Sequence, residues 1–219
     1  MSLVNVSLTP DRALITVDTN AMNGSTGAIG ELSKMVVLPH CNIVLAGRGL
    51  SFVLSVAFSQ AMLAWPSDFE TIETMLPSAM TWSIDHLRAN AAQFFSSMRI
   101  DQDDHLNAAD QNLVMVGYSP SRGRIAAVTF TSSRRSEGVS SYELGTRDAW
   151  LSPWSEEWDD EFDPSSPELM YALARVQRVQ IERTQGIASG NAIGGRLLLC
   201  ELTKDEARFS SLGQLSQSR

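Results

Sequence analysis

The chain has 219 residues, 43% of them hydrophobic and 19% charged, with a formal net charge of −8 at pH 7. That length buries the core of one domain, or of a domain with an insertion. The acidic balance argues against a nucleic-acid partner or an anionic membrane surface held by general electrostatic attraction.

Val4-Asn5-Val6-Ser7-Leu8 alternates with period two and predicts a strand. Thr9-Pro10-Asp11-Arg12 is turn chemistry, and Ala13–Asp18 is a second β-type run, so residues 3–18 read as a hairpin. Asn20–Gly30 is a glycine- and asparagine-rich loop. Ser33–Leu38 and Asn42–Gly47 form a second hairpin around Pro39-His40-Cys41. The period then changes to that of helices. Leu50–Trp65 predicts one helix, too short and too rich in serine for a membrane span. A second helical region starts near Ser67, whose hydroxyl is a candidate cap, and runs to about Ser97, with Pro77 as a possible break.

Asn112–Tyr118 and Arg124–Thr131 predict a third hairpin, and Ser140–Leu144 a short strand. Residues 150–166, rich in Trp, Pro and acids, read as an acidic surface insertion. Pro167–Thr184 predicts a helix with Pro at an early position and Ser165 or Ser166 as its cap. Gly186–Gly195 is a Gly-rich connection, and Arg196–Leu202 a last strong strand. The domain is expected over residues 1–209, with 210–219 as a polar, frayed tail. Hairpins in blocks and helices in blocks predict an α+β fold of two antiparallel sheets with helical layers outside.

Several charged or histidine-bearing stretches read as ordinary surface. Asp101–His105 lacks the turn glycine and downstream Glu of a calcium loop. Glu156–Glu161 reads as part of the solvated insertion. His40, His86 and His105 show no metal-ligand spacing, so no metal site is predicted. Arg134-Arg135 is too short a basic patch for nucleic acid, and Gly186–Gly195 lacks the Gly-Lys-Ser/Thr ending of a phosphate loop. Cys41 and Cys200 lie in apolar runs and predict buried thiols. No basic segment followed by an apolar stretch opens the chain, so a cytoplasmic location is expected.

One pattern carries chemistry. Ser2, Asp18 and Lys34 are separated by two equal steps of sixteen residues. Ser2 becomes the N-terminus once Met1 is removed, and its α-amino group, with an ordinary pKa of about 8, can then serve as base for its own hydroxyl.

Ser2, the run Leu14-Ile15-Thr16-Val17-Asp18-Thr19, then Ser33-Lys34-Met35, then Val44-Leu45-Ala46-Gly47 and a following helix together resemble the opening of the N-terminal-nucleophile hydrolases. The resemblance is to proteasome β subunits and their bacterial peptidase relatives. It covers residues 2–60 and weakens beyond them. It implies an αββα four-layer sandwich, hydrolysis of peptide or other amide bonds, no cofactor, and assembly into a homo-oligomer. By the same resemblance, Ser2 Oγ attacks the carbonyl and the Ser2 amine carries the proton. Lys34 lowers the effective pKa of the nucleophile, Asp18 fixes Lys34, and the Gly47 N–H donates to the oxyanion.

The chain departs from the family in using Ser where Thr is usual. It also lacks an acid three positions before Ser189, where Gly186 stands, and gives no fixed register to the family's further serine, at Ser132 or Ser133. The alternative reading is a catalytically inactive copy of the fold. Such a copy would serve as a structural or assembly component, of the kind found in phage and prophage gene sets.

Overall fold

The computed structural model describes residues 2–22, 29–64, 67–90, 93, 111–132, 138–146, 148–153, 165–185 and 193–215. Two five-stranded antiparallel sheets are packed face to face, with helices on both outer sides. The first sheet has the order β10-β1-β2-β11-β12. Its members are β1 (Val4–Leu8), β2 (Arg12–Asp18), β10 (Ala149–Ser152), β11 (Gly195–Thr203) and β12 (Ala207–Leu215). The second has the order β5-β6-β7-β8-β9, built from Met35–Leu38, Ile43–Arg48, Gln111–Ser119, Arg124–Ser132 and Ser140–Glu143. A short ribbon of β3 (Asn20–Met22) and β4 (Ile29–Glu31) leaves the end of β2.

Period-two burial builds the interior. Val4, Val6, Ala13, Ile15 and Val17 of the first sheet meet Val44, Ala46, Val114, Val116 and Ala127 of the second. The opposite face of the second sheet, with Leu45, Leu113, Met115 and Phe130, is covered by α1 (Ser51–Leu63) and α2 (Phe69–Ala89). The outer face of the first sheet, with Leu14, Leu197 and Leu199, is covered by α3 (Pro167–Gln185) through Met170 and Ala174. The layers therefore run α, β, β, α, as expected.

Some local expectations are corrected. The cap of α2 is Asp68, whose carboxylate accepts from the Thr71 N–H at 2.9 Å, and not Ser67. Pro77 lies inside α2 without ending it. The segment from Ser210 to Leu215 is not a frayed tail: it is the second half of β12, paired with β11. β12 is an edge strand with four consecutive exposed residues, Arg208–Ser211, and no period-two apolar pattern, which hides the strand signal. Trp150–Ser152 belongs to β10 in the first sheet and not to an insertion.

Residues 101–105, 134–135 and 156–161, along with Met1, Ser133, Gly186 and Ser189, lie outside the described residues. Among the described residues, no helix is long and apolar enough to cross a membrane.

Candidate active site

The antiparallel order brings particular strand ends to one edge of the sandwich. In the first sheet, β1 begins and β2 ends there, beside the start of β11. In the second, β5 begins, β6 ends, β7 begins and β8 ends at the same side. Asp18 is the last residue of β2, and Lys34 stands immediately before β5. Each sheet thus contributes one charge to a shared edge.

Those charges meet. The Lys34 ammonium donates to Asp18 Oδ1 at 2.7 Å, and both side chains are buried. Two backbone donors complete the carboxylate. The Leu3 N–H reaches Oδ1 at 2.8 Å and the Gly194 N–H reaches Oδ2 at 3.2 Å. The β1–β2 register sets Leu3 opposite Asp18, so Ser2 is the next residue outward, partly exposed at the end of the strand.

Burial pulls the Lys34 ammonium below its ordinary value of 10.5, the Asp18 charge and hydrogen bond push it back up, and the Arg48 cation lowers it again. Arg48 ends β6 and donates to Ser152 Oγ at 2.9 Å, which ties β6 to β10 of the other sheet. The site is therefore a carboxylate with a desolvated ammonium, next to a small hydroxyl residue.

Gly47 does not offer its N–H to a ligand, contrary to the expectation. That N–H donates to the Lys34 carbonyl at 2.9 Å as an ordinary ladder bond. The glycine is demanded instead by α1: a Cβ there would lie 2.3 Å from Leu54 Cδ2 and 3.1 Å from the Asn112 carbonyl oxygen. Close helix–sheet packing accounts for the glycine, while Ala46 on the opposite face of β6 is buried between the two sheets.

Two residues further on, Gly49 has φ +126, a conformation that other residues rarely adopt. Gln111, the first residue of β7, is buried beneath it, and its Oε1 accepts the Leu50 N–H at 2.8 Å. Ser132 is buried at the end of β8, directly opposite Gln111. The apolar-run reading missed Gly49 and Gln111.

Cys200 is buried, and burial pushes its thiol up to about 12. Cys41 is only partly buried, with its thiol raised to about 11, mainly by burial. Among the described residues, no group of acidic, Cys and His side chains is arranged to hold a metal ion.

Neither a family model nor a curated protein matches the chain. Solved structures do. Anbu, described as an ancestral β-subunit, from Yersinia bercovieri superposes with a TM-score of 0.60 at 10% identity, over 96% of this chain and 87% of that one. A Gly-1 mutant of Anbu from Hyphomicrobium sp. strain MC1 superposes with a TM-score of 0.54 at 12% identity, over 97% and 88%. The chain shares the fold of these β-subunit-like Anbu structures, two antiparallel sheets between helical layers. At such low identity the likeness concerns the fold, and chemistry has to be argued from the residues.

Proposed function

We propose that this protein is a proteasome-like N-terminal-nucleophile hydrolase of peptide or other amide bonds, with Ser2 as nucleophile after removal of Met1. The observation that carries this reading is the buried Lys34–Asp18 pair at 2.7 Å, with the adjacent Leu3 N–H on the same carboxylate oxygen. A buried ion pair contributes little net stability, since desolvation offsets attraction. A lysine whose ammonium is destabilised by burial beside a terminal hydroxyl has a chemical use instead.

In this reading the Ser2 amine accepts the hydroxyl proton as Ser2 Oγ attacks the substrate carbonyl, then returns it to the leaving amine. Water cleaves the resulting ester by the same route in reverse. Lys34 favours the developing alkoxide by its charge, and Asp18 holds Lys34 in place. Gly47 cannot serve as oxyanion donor while its N–H is spent on Lys34. That role passes to the Gly49 N–H. Strand parity directs it to the β5 side, where the chain before Lys34 has turned away and the Leu32 N–H bonds the Thr19 carbonyl. Loss of one such donor costs about 10²–10³ in rate in other hydrolases. No cofactor enters the scheme. Self-association into a homo-oligomer is part of the proposal, by likeness to proteasome-type proteins.

A second reading, an inactive copy of the fold used as an assembly component, is favoured by the engaged Gly47 N–H. Turnover separates the two. The purified protein is offered a panel of fluorogenic peptide amides, alongside Ser2→Ala and Lys34→Met. Hydrolysis that is abolished in both variants supports the enzyme. No turnover by the unmodified protein, or turnover that survives Ser2→Ala, rejects it.

A further inference from the structure

We propose that Gln111 is a positioning residue for this site: its side-chain amide binds the Gly49–Leu50 peptide and packs on Gly49, and so holds the adjoining Arg48–Gly49 peptide with its N–H ready for the oxyanion. The inference rests on the Ser2 reading given above. Three observations converge on it. Gln111 is only 5% exposed, although a polar amide is costly to bury unless it is bonded. Its Oε1 takes the Leu50 N–H at 2.8 Å. A Cβ on Gly49 would lie 2.3 Å from Oε1, 2.8 Å from Cδ and 3.2 Å from Nε2, so the whole amide group lies flat against the Gly49 Cα.

The geometry explains why both residue types stand where they do. Gly49 at φ +126 turns the chain from β6 into α1. The Leu50 cap position of α1 has no side-chain cap of its own. Gln111 supplies an acceptor for the cap residue's own N–H from a neighbouring strand, across 61 residues of sequence. An aliphatic residue of similar volume would fill the space equally well but would leave the Leu50 N–H without this acceptor. Released at Leu50, the chain turns more freely about Gly49, and the adjoining Arg48–Gly49 peptide, which carries the Gly49 N–H, then samples other orientations. A donor must be aimed at the oxyanion before the reaction begins, and a displacement of about 1 Å can cost a hundredfold in rate.

Two variants test this in the full chain. Gln111→Leu removes the acceptor, whereas Gln111→Glu keeps an acceptor of the same length. Amide hydrogen exchange at Gly49 and Leu50 reads the loop, and steady-state kinetics on a fluorogenic peptide amide read the donor. In Gln111→Leu, exchange at these two amides rises at least about tenfold with the rest of β6 unchanged. In the same variant kcat falls about tenfold to a hundredfold with KM within about twofold. Gln111→Glu recovers most of both losses, and it carries the test alone if Gln111→Leu does not fold. Unchanged exchange in Gln111→Leu overturns the inference. So does raised exchange with full kcat, since the loop would then be loosened without harm to the chemistry. A rise in KM alone also overturns it, because the contact would then serve substrate binding. An unmodified protein with no Ser2-dependent hydrolysis rejects the Ser2 reading and the donor role together, while the exchange data still decide whether Gln111 holds the loop.

Discussion

Asp18 has three donors: the Lys34 ammonium and the N–H groups of Leu3 and Gly194. Asp18→Ala strips all three and leaves Lys34 buried without its carboxylate. Losing one member of a buried pair costs about 3–5 kcal/mol, and Asp18→Ala is expected in that range by denaturant unfolding. Lys34→Met leaves the carboxylate two backbone partners and fills the space with an apolar chain, so it costs less. Equal or larger destabilisation by Lys34→Met would contradict this division. The same pair sets a pH response. Folding disfavours the charged Lys34, so its contribution is unfavourable below the lowered pKa and is relieved as pH rises toward 10.5. The proposed mechanism needs the ammonium, so activity is predicted to fall in the same window. The rate of Ser2 acylation is predicted to rise with deprotonation of its amine, at an ordinary pKa of about 8, and to decline on a limb centred below 10.5. A plateau extending beyond 10.5 would remove Lys34 from the mechanism.

At the scale of elements, the strands that pack on both faces were legible as apolar runs, and the three helices as changes of period. β12 was not, because a half-exposed edge strand of polar residues looks like a tail. The β3–β4 ribbon was hidden inside a glycine-rich loop. Asp18 and Lys34 could be read because each sits at the end of a recognisable strand. Gly49 and Gln111 could not, because their roles depend on which way an N–H faces and on a register between distant strands. The link of α3 to β1 was equally silent in the sequence. Asn5 Nδ2 donates to Gln177 Oε1 at 2.6 Å, and Gln177 Nε2 returns the bond to Asn5 Oδ1 at 2.8 Å, all of it buried. Removing one amide leaves the other short of partners, although Gln177 Nε2 keeps the Pro153 carbonyl at 3.1 Å, and costs about 1–3 kcal/mol. Asn5→Leu and Gln177→Leu combined are expected to cost clearly less than the sum of the single variants in thermal unfolding. Additive losses would show that the pair is not coupled.

For the whole molecule, the sandwich matters because it brings the edges of two sheets together, and with them the Asp18 carboxylate and the Lys34 ammonium, at the start of β1. The second outer surface also carries a consequence. α1 presents an exposed stripe of Ser51, Ser55 and Ser59, but its C-terminal end leaves Leu63 77% and Met62 52% exposed, and Trp82 of α2 is 56% exposed and stacked on His86. Such a surface is costly to leave in water. Sedimentation is predicted to find an assembly of several copies. Leu63→Glu with Trp82→Glu should shift it toward the single chain. A monomer before any substitution would contradict the assembly proposal.

The most direct measurement is the mass and mapped position of a covalent adduct. Purified protein is treated with a β-lactone probe, its intact mass is recorded, and the labelled peptide is sequenced. The account predicts a chain that has lost Met1 and carries one adduct on Ser2, with no adduct on Ser2→Ala. A chain that keeps Met1, or a label that persists elsewhere in Ser2→Ala, would contradict it.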